Sequence, residues 1–359
     1  MNDKSLVKLG DVAHECRQTW NGDQNNVPIV GLEHLIPGEI ELYSWDSNIE
    51  HTFSKKFVKG QVLLGRRRVY LKKAAVAPCD GICSGDITVI ESTGGILPEL
   101  LPFVIQNDRF FDYAMQGSAG SLSPRVKWEH LKNYEFSLPP LAEQKVLADK
   151  LWAAYRLKES YKKLLAATEE MVKSQFIEMF KNCPKVGINT LVNTVWGTSP
   201  KSSTYNDSGI GVPFYQGKTE FGDLYINNPI MYCTAPVKMA KKDSILMSVR
   251  APVGSVNIAT QDCCIGRGLA SITPKKEKTK TMFIYYALKY MEEEIDRLGT
   301  GSTFKAINKE SYARIQLPEA SSEDQMKFVS IAEQADKSGF ELRKSIDALD
   351  AVIKSLINS

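Results

Sequence analysis

The stretch Leu138-Pro-Pro-Leu-Ala-Glu-Gln144 decides how the chain is organised. Pro139 and Pro140 end whatever precedes them, because proline supplies no amide donor and turns its predecessor away from helix. Beyond them no glycine or proline occurs until Pro184, and the run is rich in Ala, Leu, Lys, Glu and Gln. That composition favours helix. Leu147, Leu151, Ala154, Tyr161, Leu165, Thr168 and Val172 follow at spacings of 4, 3, 7, 4, 3 and 4, a seven-residue repeat with one miss at Lys158. At 1.5 Å per residue such a helix reaches about 60 Å, more than one small domain needs. The run reads as a strut.

The strut is written twice. Moving from Gln144 to Gln325, an offset of 325 − 144 = 181, carries Leu147, Ala154, Tyr161, Leu165, Thr168 and Val172 onto Phe328, Ala335, Leu342, Ile346, Leu349 and Ile353. A lead-in precedes each copy, Tyr134-Glu-Phe-Ser-Leu-Pro139 and Tyr312-Ala-Arg-Ile-Gln-Leu-Pro318. Before these stand the small-residue loops Gly117-Ser-Ala-Gly-Ser121 and Gly299-Thr-Gly-Ser-Thr303, followed by Arg125 and Lys305. Further upstream, Gly60-Gln-Val-Leu-Leu-Gly-Arg-Arg67 parallels Asp243-Ser-Ile-Leu-Met-Ser-Val-Arg250, and Val27-Pro-Ile-Val-Gly31 parallels Val212-Pro-Phe-Tyr-Gln216. Five matched pieces in one order imply duplication.

Each copy opens with short apolar runs broken by Gly, Pro, Asn and Asp, which read as strands and turns. One helical candidate sits late in each, over 100–115 and 281–298. The expected fold is α+β: segments 1–139 and 183–320 are globular, and 140–182 and 321–359 are long helices. Ser322 is expected to open the second helix in a capping box, and Gly339 is expected to bend it where Lys158 interrupts the first. Each narrow apolar stripe is most simply buried on the other, as an antiparallel coiled coil with an approximate internal two-fold.

The 359 residues suffice for two or three domains, and the net charge of +3 argues for no partner by itself. No window approaches 18 consecutive apolar residues, and Met-Asn-Asp-Lys-Ser lacks a signal-peptide core. Seven cysteines without framework spacing fit reduced thiols. A cytoplasmic location, away from membranes, is expected.

A catalytic constellation is not legible. Gly211-Val-Pro-Phe-Tyr-Gln-Gly-Lys-Thr219 has five residues, one a proline, where a phosphate loop has four. His14, His34, His51 and His130 all lie in the first copy, without a partner at metal-ligand spacing. No metal or catalytic residue is therefore expected. The run Lys59-Gly-Gln-Val-Leu-Leu-Gly-Arg-Arg-Arg-Val-Tyr-Leu-Lys-Lys73 is strongly basic and holds no acid. Arginine reads guanine bidentately and lysine suits phosphates, but the same run fits a solvated hairpin edge guarded by charge. Candidate DNA-binding residues are Arg66, Arg67, Arg68, Tyr70, Lys72, Lys73, Arg125 and Lys127, with Lys218, Arg250, Arg267, Lys305 and Lys309 in the second copy.

Leu138-Pro-Pro-Leu-Ala-Glu-Gln-Lys-Val-Leu147 resembles the conserved-region signature of the specificity subunits of Type I restriction–modification enzymes. The likeness spans two recognition domains, each followed by a long helix. Pro318-Glu-Ala-Ser-Ser-Glu-Asp-Gln325 keeps only its first proline and its acid–Gln end. The resemblance implies a non-catalytic chain that binds bipartite double-stranded DNA, one half-site per domain, with the helices setting the unread gap. It implies docking of two modification subunits and, through them, restriction subunits. S-adenosylmethionine, ATP and Mg²⁺ would belong to those partners, with no cofactor on this chain. Leu147, Leu151, Tyr161, Leu165, Val172, Phe328, Leu342, Ile346, Leu349 and Ile353 are the expected subunit-docking residues. A specificity chain of a Type II enzyme, and a scaffold that binds no DNA, are the alternatives.

Overall fold

The computed structural model describes residues 5–118, 123–275, 279–301 and 305–358, in two compact units, 1–162 with 343–359 and 163–342. The first unit contains β1 (Ser5–Lys8), β2 (Ala13–Cys16), β3 (Ile29–Val30), β4 (Lys55–Phe57), β5 (Val62–Gly65), β6 (Ala74–Val76), β7 (Gly81–Cys83), β8 (Ile87–Ser92) and β9 (Glu135–Leu138). They form sheets ordered β1-β9, β2-β8-β5-β6 and β3-β7-β4. The second unit contains β10 (Lys185–Gly187), β11 (Val192–Trp196), β12 (Tyr205–Asn206), β13 (Val212–Tyr215), β14 (Met231–Cys233), β15 (Met239–Ala240), β16 (Ile245–Ser248), β17 (Val256–Ile258), β18 (Cys263–Ile265), β19 (Leu269–Pro274) and β20 (Gln316–Pro318). Its sheets are β10-β20, β11-β19-β16-β17 and β12-β14-β13-β18-β15.

Every strand of the first unit has a counterpart in the second, which adds β12 and β14. Dropping β12 and β14 leaves three sheets with the same internal order in each unit. In both, one strand pair is parallel: β3 with β7 and β13 with β18. The central strands are buried on both faces, so they read as continuous apolar runs. Val62 and Leu64 of β5 face a core shared with Ile90, whereas Leu63 faces another with Ala75 and Val89. Ile245 and Met247 of β16 likewise face one core and Leu246 a second. The late helical candidates are each broken in two, Leu101–Ile105 with Asp108–Gln116, and Thr281–Tyr290 with Glu292–Arg297.

The long helices are unbroken over Leu141–Phe180 and Ser322–Asn358, 40 and 37 residues. Helical structure continues through Gly339, which is buried, and through Lys158, so neither position interrupts its helix. Lys158 belongs to the buried stripe because it is paired: it is 5% exposed and its Nζ donates to Asp350 at 2.8 Å. Within the second unit Phe176 and Phe180 meet Phe328 at ring distances of 5.1 and 5.7 Å, and Val172 shares their core with Ala332. Rising numbers on one helix thus meet falling numbers on the other, the antiparallel sense expected.

Several of the expected docking residues take part in the chain's own packing. Leu151, Val172 and Phe328 are buried in the chain's own cores, and Leu147 and Ile353 pack against one of them. Tyr161, Leu165, Leu342, Ile346 and Leu349 are half-buried. A partner reaching the buried positions would have to displace that packing, which stabilises by about 2–3 kcal/mol per large side chain.

The acid–Gln signature also has a physical reason. Buried Gln144 accepts from Leu97 N (2.9 Å) and donates to Pro139 O (3.0 Å) and Gly95 O (3.2 Å), tying the helix start to the loop behind β8. Gln325 repeats this with Lys280 N and Ala320 O, both at 2.9 Å. Pro139 and Ala320 are therefore equivalent. Pro318 is a strand residue two positions earlier, not the counterpart of Pro139. Ser321, rather than Ser322, caps the second helix: its Oγ accepts from Asp324 N at 3.1 Å.

Candidate nucleic-acid interface

The basic run occupies the end of β5 and the turn into β6. That turn is a single 3-10 turn, Val69–Leu71, flanked by Arg68 and Lys72 in the left-handed region, each with φ 52°. It leaves Arg68, Tyr70 and Leu71 exposed. Several neighbouring cations are already engaged. Arg125 grips Asp86 with Nε at 2.7 Å and Nη2 at 3.2 Å, and Arg67 lies 3.5 Å from the same carboxylate while donating to Ser123 Oγ at 3.0 Å. The hydrogen bond from Arg125, with the nearby guanidinium charges, holds the Asp86 carboxyl below its usual range. Lys72 donates to Asp108 at 2.7 Å, and Lys73 to the Leu32 carbonyl at 2.7 Å.

Those contacts are structural. They leave Arg66, Arg68, Tyr70 and Lys127 as the reading candidates of the first unit. Arg66 and Lys127 line a groove of about 420 Å³ with Arg17, Lys55 and Trp128, where Glu15 and Glu129 are the acids. The Arg66 Nε is buried and has no partner among the described residues. A groove with four cations, two acids and Trp128 in its lining suits a phosphodiester and a stacked base.

The second unit is equipped differently. Arg67 bridges Arg125 in the first unit, and Arg250 bridges Ala306 in the second. Arg250 therefore stands for Arg67 and Ala306 for Arg125, so Lys305 is not the counterpart of Arg125. Gly65 pairs with Ile87 and Ser248 with Leu269, which puts Gly268 where Asp86 stands. Without that carboxylate Arg250 is exposed and makes no side-chain hydrogen bond or ion pair among the described residues. Arg267 and Lys309 are exposed as well. Lys218 reaches Ser255 Oγ at 3.4 Å, and Lys305 is ion-paired with Asp296. Parts of the small-residue loops, 119–121 and 302–303, lie outside the described residues.

Two groupings escaped the sequence reading. His14, Cys16 and Glu91, and separately Glu33, His34 and Asp46, bring ligand-type atoms within 4.8 Å of one another. The fold creates both, since Glu91 is 75 residues from Cys16. Among the described residues no helix is long and apolar enough to cross a membrane.

A twice-built recognition unit joined to antiparallel long helices defines the class: duplicated recognition domains with coiled-coil spacers. Residues 188–349 match the family described as Type I restriction modification DNA specificity domain. Over 99% of its length the chain is 35% identical to a Methanocaldococcus jannaschii protein assigned as the MjaX type I restriction enzyme specificity subunit, covering 92% of that protein. The Escherichia coli EcoDI specificity subunit is 28% identical over 31% of this chain and 26% of its own. A solved chain from work on complex assembly and conformational transition of the type I R-M system superposes with a TM-score of 0.61 at 27% identity, covering 99% and 96% of the two chains. The S subunit from M. genitalium shares the fold, with a TM-score of 0.64 at 14% identity over 99% and 96%. The chain belongs to the type I restriction enzyme specificity subunits.

Proposed function

We propose that this chain is the sequence-reading, non-catalytic subunit of a cytoplasmic restriction–modification enzyme, and that it binds a bipartite double-stranded DNA target. Each unit reads one half-site and the paired helices fix the unread gap between them. The shared sheet order of the two units carries this reading, because two copies of one recognition domain on one chain call for two related sites. Arg66, Arg68, Tyr70 and Lys127 would face DNA in the first unit, and Arg250, Arg267, Lys218 and Lys309 in the second. Arginines beside exposed loops supply both base readout and phosphate contact.

Two modification subunits dock on the chain and bring restriction subunits with them. S-adenosylmethionine, ATP and Mg²⁺ chemistry stays on those partners. The central helix offers a face for docking: Val146, Leu157, Leu164 and Met171 are each 43–54% exposed and recur at heptad-compatible spacings of 11, 7 and 7. This exposed stripe runs beside the buried one and suits a partner helix.

Removing one heptad from each long helix at mid-length, followed by methylome sequencing with the modification subunit present, tests the reading. A shortened gap between unchanged half-sites supports it. Altered half-sites across an unchanged gap contradict it.

A further inference from the structure

We infer that His14, Cys16 and Glu91 form a binding site for a divalent transition metal, zinc foremost, on the edge strand of the first unit's four-stranded sheet. His14 and Cys16 are two apart on β2 and so project from one face. Glu91 on β8 is the cross-strand partner of His14. The Cys16 Sγ lies 3.7 Å from His14 Nε2 and 3.3 Å from Glu91 Oε2. Zinc–ligand bonds of about 2.0–2.3 Å at tetrahedral angles give ligand–ligand edges of roughly 3.3–3.6 Å. The two edges from Cys16, 3.7 and 3.3 Å, are already close to those of that tetrahedron, and all three ligand atoms lie within 4.8 Å of one another. His14 and Glu91 are exposed, which leaves an entry path and a fourth position for water.

The surroundings fit a ligand set better than a chance grouping. Gln61, 7% exposed, donates Nε2 to Cys16 Sγ at 3.2 Å and to Glu91 Oε2 at 3.0 Å. Such outer donors orient metal ligands and help a thiolate carry its charge. The mixed S, N and O set selects zinc or cobalt over magnesium or calcium, which take oxygen alone.

The fold does not require these residues. His14 pairs with Glu91 and Cys16 with Val89 in the first unit, where the second pairs Asn193 with Thr273 and Val195 with Ser271. The same sheet thus forms in the second unit with no ligand at the equivalent positions. The site belongs to one copy only. It would pin β2 to β8 just before Arg17, which lines the basic groove.

Titrating Co²⁺ into the purified, metal-free full chain tests the assignment, because a cobalt–thiolate bond gives a charge-transfer absorption. One equivalent is expected to saturate the band, and Zn²⁺ to displace it. Cys16→Ser should abolish the band, and Cys79→Ser, at another cysteine of the same unit, should leave it. His14→Ala and Glu91→Gln change exposed side chains, so they test ligation without opening the core, and each should weaken cobalt binding at least tenfold. A wild-type chain without the band, or a band that survives Cys16→Ser or is unmoved by both His14→Ala and Glu91→Gln, overturns the site.

Discussion

The two recognition units share a strand order and differ in how they treat one arginine. In the first, Arg67 and Arg125 converge on Asp86; in the second, Arg250 faces Gly268 and Ala306 instead. The scaffold is therefore held constant while its surface chemistry is rewritten. A carboxylate that binds two guanidinium groups builds a rigid wall, whereas its absence leaves an arginine for an outside acceptor. A basic residue in sequence is thus not a DNA contact until the fold shows what it already holds.

The largest effects test the shared scaffold. Leu151→Ala in the first unit and Phe328→Ala in the second should each cost about 2–5 kcal/mol in chemical denaturation, because each empties a buried site. Leu164→Asp should change stability by no more than about 0.5 kcal/mol, since that side chain is exposed. The same change should lower affinity for the modification subunit about a hundredfold, some 2.7 kcal/mol, by placing a charge in an apolar contact. Unchanged co-purification would remove the stripe as a docking face.

Smaller effects separate the two units. Gln144→Ala leaves three backbone partners without their bond and Gln325→Ala leaves two, so losses of about 1–3 kcal/mol are expected, the former larger. Arg250→Ala should weaken DNA binding about tenfold and flatten its salt dependence by about one unit. Arg67→Ala should act mainly on stability, because its guanidinium is held by Asp86 and Ser123. Equal losses of affinity at the two positions would break the contrast.

The smallest effect is in pH. The Asp86 carboxyl is held low in the folded state, so its contribution is present above the unfolded value of about 3.9 and fades as pH falls through the folded one. Asp86→Asn should therefore lower stability at neutral pH and make its decline toward acid shallower. A full-depth acid decline in that variant would assign the effect to other carboxylates.

The long helices and the duplication were legible because they rest on periodicity and on repeated local patterns. Lys158 read as a defect only because its partner, Asp350, lies 192 residues away. The equation of Arg125 with Lys305 failed by one residue, which strand register alone corrects. Pro318 misled for the same reason. The Asp86 clamp and the His14–Cys16–Glu91 grouping join residues from separate strands, so no spacing announces them. Exposure of Val146, Leu157, Leu164 and Met171 was likewise hidden, since neighbouring apolar stripes of one helix look alike until one of them is covered.

Selection of binding sites from a random-sequence duplex library, using the chain bound to its modification subunit, tests the central claim most directly. Two short motifs separated by a fixed, unread gap are predicted. A single contiguous motif, or no enrichment, would contradict the account.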